Sequence, residues 1–160
     1  DADSAGKASR QYSNQCVVSL AEAIPELVGG SADLSPSNLT QLKCSGDFTP
    51  SDRTGRYIRY GVREHAMVAI NNGICAYGGI RPFSATFFNF WGYAMGAIRM
   101  TALSRFPQIF IGTHDSIGLG EDGPSHQPIE MLESIRSMPN IHCIRPCGGV
   151  ETSAAYAFAL

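Results

Sequence analysis

The sequence predicts an α/β domain built on a mostly parallel sheet with helices on both faces. Three observations carry that reading. Short apolar runs alternate along the chain with longer segments whose apolar residues recur at helical spacing, the pattern of successive βαβ units. The run Pro107-Gln108-Ile109-Phe110-Ile111-Gly112 reads as a strand buried inside a parallel sheet. Finally, segments of unusual polar composition begin where the apolar runs end, and a parallel sheet gathers such segments on one rim.

Taken in order, residues 10–24 place Cys16, Val17, Leu20, Ala21 and Ile24 on one helical face, and Pro25 closes that helix. Residues 27–30 form a short strand. Residues 31–55 are rich in Ser, Pro, Asn, Asp and Gly and read as a long connection with a helical turn near 36–42; connections of that length usually serve function or an interface. Residues 57–60 are a strand, and 64–77 a helix with Met67, Ile70 and Ile74 on one face. The alternation then repeats: a strand at 82–86, a helix at 89–105, a strand at 108–113, a helix at 128–137, a strand at 141–145 and the start of a last helix at 150–160. Right-handed crossovers join parallel strands arranged this way.

The chain has 160 residues, 44% of them hydrophobic, enough for one sizeable core. Charged residues make up only 16%, below the roughly 25% of an average soluble domain, which points to an exterior covered by other domains or subunits. A net charge of -2 leaves no basic stripe for a nucleic acid or an anionic membrane, and no run of apolar residues is long enough to span one. The five cysteines are scattered without a C-x-x-C pair, so they read as free thiols of a reducing compartment. Cys143 and Cys147 lack a second ligand pair and do not read as a metal site. Residues 1–9 read as a linker from an upstream domain, and 10–160 as one domain cut short at its carboxyl end, inside the apolar stretch Ala154-Ala155-Tyr156-Ala157-Phe158-Ala159-Leu160.

The richest polar segment runs from Thr113 to Pro128 and holds His114, Asp115, Glu121, Asp122 and His126. Its Gly118-x-Gly120-x-x-Gly123 spacing mimics a dinucleotide-binding turn. Glu121 and Asp122 would set two negative charges where a pyrophosphate must sit, and Pro124 removes a backbone donor, so that reading fails on its chemistry. What remains is a polar cavity for a hydroxylated substrate or an ordinary surface turn. Glu64 opens a helix, where an acid suits the macrodipole; equally, it could trade a proton with a ring nitrogen at a cavity wall. Phe87, Phe90 and Tyr93 recur every three residues and make a stripe, either core or a flat slot for an aromatic ring. Arg10 and Ser37 could bind an anion.

Four motifs, Gly29-Gly30-Ser31-Ala32-Asp33-Leu34, Gly61-Val62-Arg63-Glu64-His65-Ala66-Met67, Ala85-Thr86-Phe87-Phe88-Asn89-Phe90 and Thr113 through Pro128, resemble the signatures of the transketolase family. The resemblance runs from about Arg10 to the last residue and is to the central, pyrimidine-binding domain of a thiamine-diphosphate-binding fold. It implies transfer of a two-carbon ketol unit between ketose and aldose sugar phosphates through a thiamine diphosphate carbanion. It also implies a homodimer in which the diphosphate-binding domain of a partner subunit holds the diphosphate and Mg2+ (or Ca2+), so that the isolated segment is inactive and binds no metal itself.

Residue by residue, the resemblance implies that Glu64 hydrogen-bonds the aminopyrimidine ring and promotes its imino tautomer, and that Phe87, Phe90 and Tyr93 surround that ring. It places Asp33 near the cofactor, and His114, Asp122 and His126 on the sugar hydroxyls, with both histidines assisting proton movement. Arg10 and Ser37 would bind the substrate phosphate. Ser125 stands where the family usually has Thr. Dihydroxyacetone synthase, or a non-catalytic dimerisation module, are the alternatives. The cytosol is the default compartment.

Overall fold

The computed structural model describes residues 6–160. Helix α1 (Ser9–Ala23) begins inside the segment expected as a linker, whose first five positions lie outside the described residues. Strand β1 (Leu27–Ser31), the short helix α2 (Ser35–Asn38), β2 (Tyr57–Arg59), α3 (Glu64–Tyr77) and β3 (Arg81–Phe87) follow. A 3₁₀ helix (Phe88–Ala94) leads into α4 (Met95–Ser104), then β4 (Ile109–Thr113), α5 (Met131–Arg136) and α6 (Gly149–Ala159).

The four strands form one sheet in the order β2-β1-β3-β4, every pairing parallel. The central β1 carries the pair Gly29-Gly30 because its neighbours leave no space for side chains there. A Cβ on Gly30 would lie 1.8 Å from the Ile58 carbonyl oxygen, and one on Gly29 2.1 Å from that of Phe83.

Alternation within each strand divides the core between the two faces. Tyr57, Phe83, Ala85, Ile109 and Ile111 pack with Val17 and Ala21 of α1, joined by Tyr156 and Ala159 of α6. Ile58 and Phe110 face the other way, onto Met67 and Val68 of α3, Trp91 of the 3₁₀ turn, Ile98 of α4 and Met131 and Ile135 of α5. Helices therefore cover both faces, as expected for an α/β sheet whose strands are joined by crossovers. Among the described residues no helix is long and apolar enough to cross a membrane.

Three expectations need correction. Residues 141–145 do not form a strand. Ile141 and Cys143 turn toward the core, as the alternation of the sequence requires, but a strand exists only through a hydrogen-bonded neighbour. Here the segment and β4 both line a cavity of about 540 Å3, and no ladder closes between them. The helix expected at 89–105 is divided into the 3₁₀ turn and α4. The helix expected at 128–137 contracts to Met131–Arg136, its first turn lost to the irregular chain after Pro128.

Candidate functional site

Because all four strands are parallel, the residues that follow Ser31, Arg59, Phe87 and Thr113 emerge on one rim of the sheet. After β2, Gly61 takes a positive φ of 68° and turns the chain into α3, so that Glu64 occupies the first turn. Glu64 is 7% exposed and sits where the helix dipole favours negative charge. The hydroxyl of buried Thr86 reaches it, Oγ1 to Oε1, at 3.5 Å. This contact ties Glu64 to the end of β3, the strand end from which the aromatic stripe starts.

The stripe forms because β3 ends on Phe87 and the chain then winds as a 3₁₀ helix, whose three-residue turn stacks positions i and i+3 above one another. Ring centroids of Phe87 and Phe90 lie 5.7 Å apart, and those of Phe90 and Tyr93 6.0 Å. Both loop histidines lean on these rings. His114 stacks on Phe87 at 3.9 Å, and His126 stands edge-on to Phe90 at 4.9 Å and to Phe87 at 5.8 Å.

The loop that carries them is tied down at several points. Asn89 Nδ2 donates to the Ser125 carbonyl at 2.7 Å, Ser125 Oγ lies 2.8 Å from His126 Nδ1, and the Gln127 amide donates to the Leu119 carbonyl. Arg145 pairs with Asp115 at the loop's start. Helix α1 contributes Arg10, whose Nη1 donates to His114 Nε2 at 2.9 Å. Burial, and then the Arg10 guanidinium, hold the His114 imidazole below the usual histidine range; the charges of Asp122 and Asp115 oppose them. The ring is therefore neutral near pH 7.

The structure thus joins Arg10, His114, His126, Phe87, Phe90 and Tyr93 by direct contact, connects Glu64 through Thr86, and brings exposed Asp122 within electrostatic reach of His114. Two expected residues stand apart. Asp33, exposed in a left-handed conformation at φ 64°, acts on Arg59 of β2, and Ser37 lies on α2. No hydrogen bond or ring contact among the described residues links either to the Phe87–His114 group.

Sequence reasoning passed over Thr86, Thr113 and Asn38. Thr113 Oγ1 lies 2.9 Å from His114 Nδ1 and donates to Asn38 Oδ1 at 2.8 Å. One signal was available: a threonine closes or nearly closes both β3 and β4, each time directly before an expected site residue. Among the described residues no group of three His, Cys, Asp or Glu is placed to hold a metal ion.

A model of the transketolase pyrimidine-binding domain matches residues 5–160. A probable transketolase of Schizosaccharomyces pombe is 55% identical over 158 residues, and transketolase 2 of Saccharomyces cerevisiae 55% over 159; each match covers 96% of this chain and 23% of the relative. The crystal structure of the Pichia stipitis transketolase complex with sedoheptulose 7-phosphate superposes with a TM-score of 0.95 at 54% identity, covering 98% of this chain and 24% of that one. A chain of a split-gene transketolase, solved as an inactive β4 tetramer, gives a TM-score of 0.73 at 28% identity, with 48% of its length covered. The chain therefore spans about a quarter of the length of the transketolases it matches. With four motifs on one rim, and a family model that matches nearly every residue, the chain belongs to the transketolase pyrimidine-binding domain family.

Proposed function

We propose that this chain is the pyrimidine half of a transketolase active site, which moves a two-carbon ketol unit between sugar phosphates of the pentose phosphate pathway. The observation that carries the proposal is a buried carboxylate, Glu64, on the same sheet rim as a three-ring aromatic stripe on which two histidines rest. A flat heteroaromatic ring with a basic nitrogen fits that combination: the aromatic side chains cover its face and the carboxylate meets its edge. The transketolase names of the relatives favour this activity over dihydroxyacetone synthase.

When bound, thiamine diphosphate supplies the carbon nucleophile that carries the ketol unit. Glu64 holds a proton at the pyrimidine nitrogen, with Thr86 steadying its Oε1. Phe87, Phe90 and Tyr93 exclude water from the ring's face, and Asp33 borders the cofactor from the end of β1. His114 and His126, resting against the stripe, bind the sugar's oxygens and assist proton movement, while Asp122 reads the hydroxyl beside the carbonyl. Arg10 and Ser37 bind the phosphate at the mouth.

The cofactor's diphosphate and its Mg2+ (or Ca2+) are assigned to the diphosphate-binding domain of the partner subunit in a homodimer. Two features support a covering partner. Tyr93, although part of the stripe, is 71% exposed, and Val62, Ile117 and Ile129 on the same rim loops are exposed as well. The inactive split-gene tetramer supports the expectation that the pyrimidine half alone does not turn over. We assign the protein to the cytosol, although a maize relative 54% identical is named chloroplastic.

The test is ketol transfer from a ketose phosphate to an aldose phosphate by the full-length dimer, with thiamine diphosphate and Mg2+. Activity that is lost on removing the cofactor supports the reading. A full-length dimer that binds thiamine diphosphate yet transfers no ketol unit overturns it.

A further inference from the structure

The segment from Ser116 to Gln127, which carries Asp122 and His126, is bonded almost wholly to itself. The Gly118 N–H donates to Ser116 Oγ at 3.0 Å, the Gly123 N–H to the Gly120 carbonyl at 3.2 Å, the His126 N–H to the Gly123 carbonyl at 3.1 Å, and the Gln127 side chain to the Leu119 carbonyl. Among the described residues a single hydrogen bond joins this segment to the rest of the domain: Asn89 Nδ2 donates to the Ser125 carbonyl at 2.7 Å. No helix or strand runs through it. A segment with so few outside bonds keeps its conformational freedom unless something docks it.

The 3₁₀ helix explains why Asn89 can do so. With three residues per turn it presents three separate faces. Phe90 and Tyr93 continue the stripe from Phe87, while Phe88, Trp91 and Ala94 pack in the core. The third face holds Asn89 and Gly92, and the chain returning from the loop lies along it. Ser125 meets Asn89, and Met131, at the start of α5, comes so near Gly92 that a Cβ there would lie 3.4 Å from its Sδ. The residue after Ser125 then folds back onto the stripe, His126 standing edge-on to Phe90 at 4.9 Å. Adjacent residues of the loop therefore engage adjacent residues of the helix, one by a hydrogen bond and the next by a ring contact. Of the two, the hydrogen bond is the directional one.

We propose that Asn89 is a positioning residue that docks the loop on the 3₁₀ helix and so fixes where His126 and Asp122 stand relative to the aromatic stripe. The effect on turnover rests on the sugar phosphate reading above; the docking itself does not. One short helix then forms the aromatic wall with one face and holds the sugar-reading loop with another, so that both keep a fixed spacing. A neutral amide suits the task. A carboxylate of the same shape has no hydrogen to give, and its charge would repel the Ser125 carbonyl oxygen.

The experiment compares the full-length wild type with Asn89→Ala and Asn89→Asp by amide hydrogen exchange and by ketol-transfer kinetics with thiamine diphosphate and Mg2+. Both variants are expected to exchange faster in peptides spanning residues 116–127, while β3 and β4 keep wild-type protection. For the ketose phosphate, kcat/KM is expected to fall about tenfold, the scale of one lost hydrogen bond, whereas the affinity of the full-length apoprotein for thiamine diphosphate, read by titration, holds. Ser125→Ala keeps the backbone carbonyl and is expected to exchange like the wild type in the loop.

Wild-type exchange at 116–127 in the Asn89 variants overturns the proposal, as does undiminished kcat/KM beside a loosened loop. Weaker cofactor binding by the variants overturns it too, because the 3₁₀ helix itself would then be deformed. Either variant suffices for these readings if the other does not fold. Failure of both to fold counts against the proposal, since a bond at the rim that only docks a loop is not needed by the core. The exchange readout needs no turnover: a loosened loop in a protein without ketol transfer would sink the functional reading and leave the docking standing, and a wild-type loop in Asn89 variants of an active protein would do the reverse.

Discussion

Two polar networks cross the sheet of this domain, and they differ in how they end. One lies between β3, β4, α3 and α4. Tyr60 donates to Asn71 Oδ1, Asn71 donates to Ser84 Oγ and the Phe83 carbonyl, Ser84 meets Gln108, and Gln108 and Thr101 both bond Asn72. Every member finds its partners inside the protein. Burial pushes the Tyr60 phenol well above its ordinary range despite that bond, so it stays a neutral donor.

The other network, from Ser31 through Asn38 and Thr113 to His114 and Arg10, begins equally buried but finishes on an exposed guanidinium. The lesson is that buried polarity alone does not mark a site. A network that closes on itself specifies packing, whereas one that runs through a titratable ring to an exposed cation at the rim is poised for a ligand.

Breaking each network should therefore have different consequences. The largest effect is expected at the rim itself: Glu64→Ala in the full-length protein lowers kcat by at least about 100-fold, the lower end of what proton-transfer groups contribute. Steady-state assays at saturating cofactor check this, and near-normal turnover would remove Glu64 from its role. Next comes the closed network. Asn71→Ala leaves the Tyr60 hydroxyl without its acceptor and removes a donor to Ser84 in the core, and should cost about 3 kcal/mol of stability. Thermal and denaturant unfolding measure that loss, and KM should hold in the folded fraction. A large shift in KM with little change in stability would erase the distinction between the two networks.

A smaller effect is expected at Asp122, on the outer part of the rim. Asp122→Ala should reduce discrimination between sugars that differ at the hydroxyl beside the carbonyl by roughly tenfold, the value of one charged hydrogen bond. Relative kcat/KM values for the two epimers test it, and unchanged ratios count against the assignment. The smallest effect concerns His114. Its folded pKa lies below the unfolded value, so folding disfavours the charged ring. Its contribution to stability is full above about pH 6.5 and declines as pH falls through that unfolded value toward the folded one. The contribution is modest, because the ring is only partly buried. Denaturation midpoints from pH 8 to 5 for wild type and His114→Asn would show it as a shallower acid decline in the variant.

Much of the fold was legible along the chain. The helical spacing of Val17 and Ala21, and of Met67 with Ile70 and Ile74, placed α1 and α3, and the apolar runs around Val28, Phe83 and Phe110 placed three strands of a parallel sheet. Periodicity reports which face of a segment is buried, and that information is local. Residues 141–145 show its limit: their alternation described the burial of Ile141 and Cys143, yet a strand also needs a neighbour at ladder distance, which no local pattern encodes. The helix at 89–105 shows another, because spacing does not separate a 3₁₀ turn from the α-helix it enters.

By itself, then, the sequence determined the class of the fold, the family, and the four segments that carry the site, because residue type and order suffice for those. Only the tertiary structure decided which of these residues meet. Arg10 and His114 are 104 positions apart and touch at 2.9 Å; Thr113 donates to Asn38, 75 positions away, at 2.8 Å. Such contacts follow from strand order and register, properties of the assembled sheet rather than of any stretch of chain. For the same reason Asn38 and Thr113, unremarkable in the sequence, are tied to His114, while Asp33 and Ser37 make no direct contact with it.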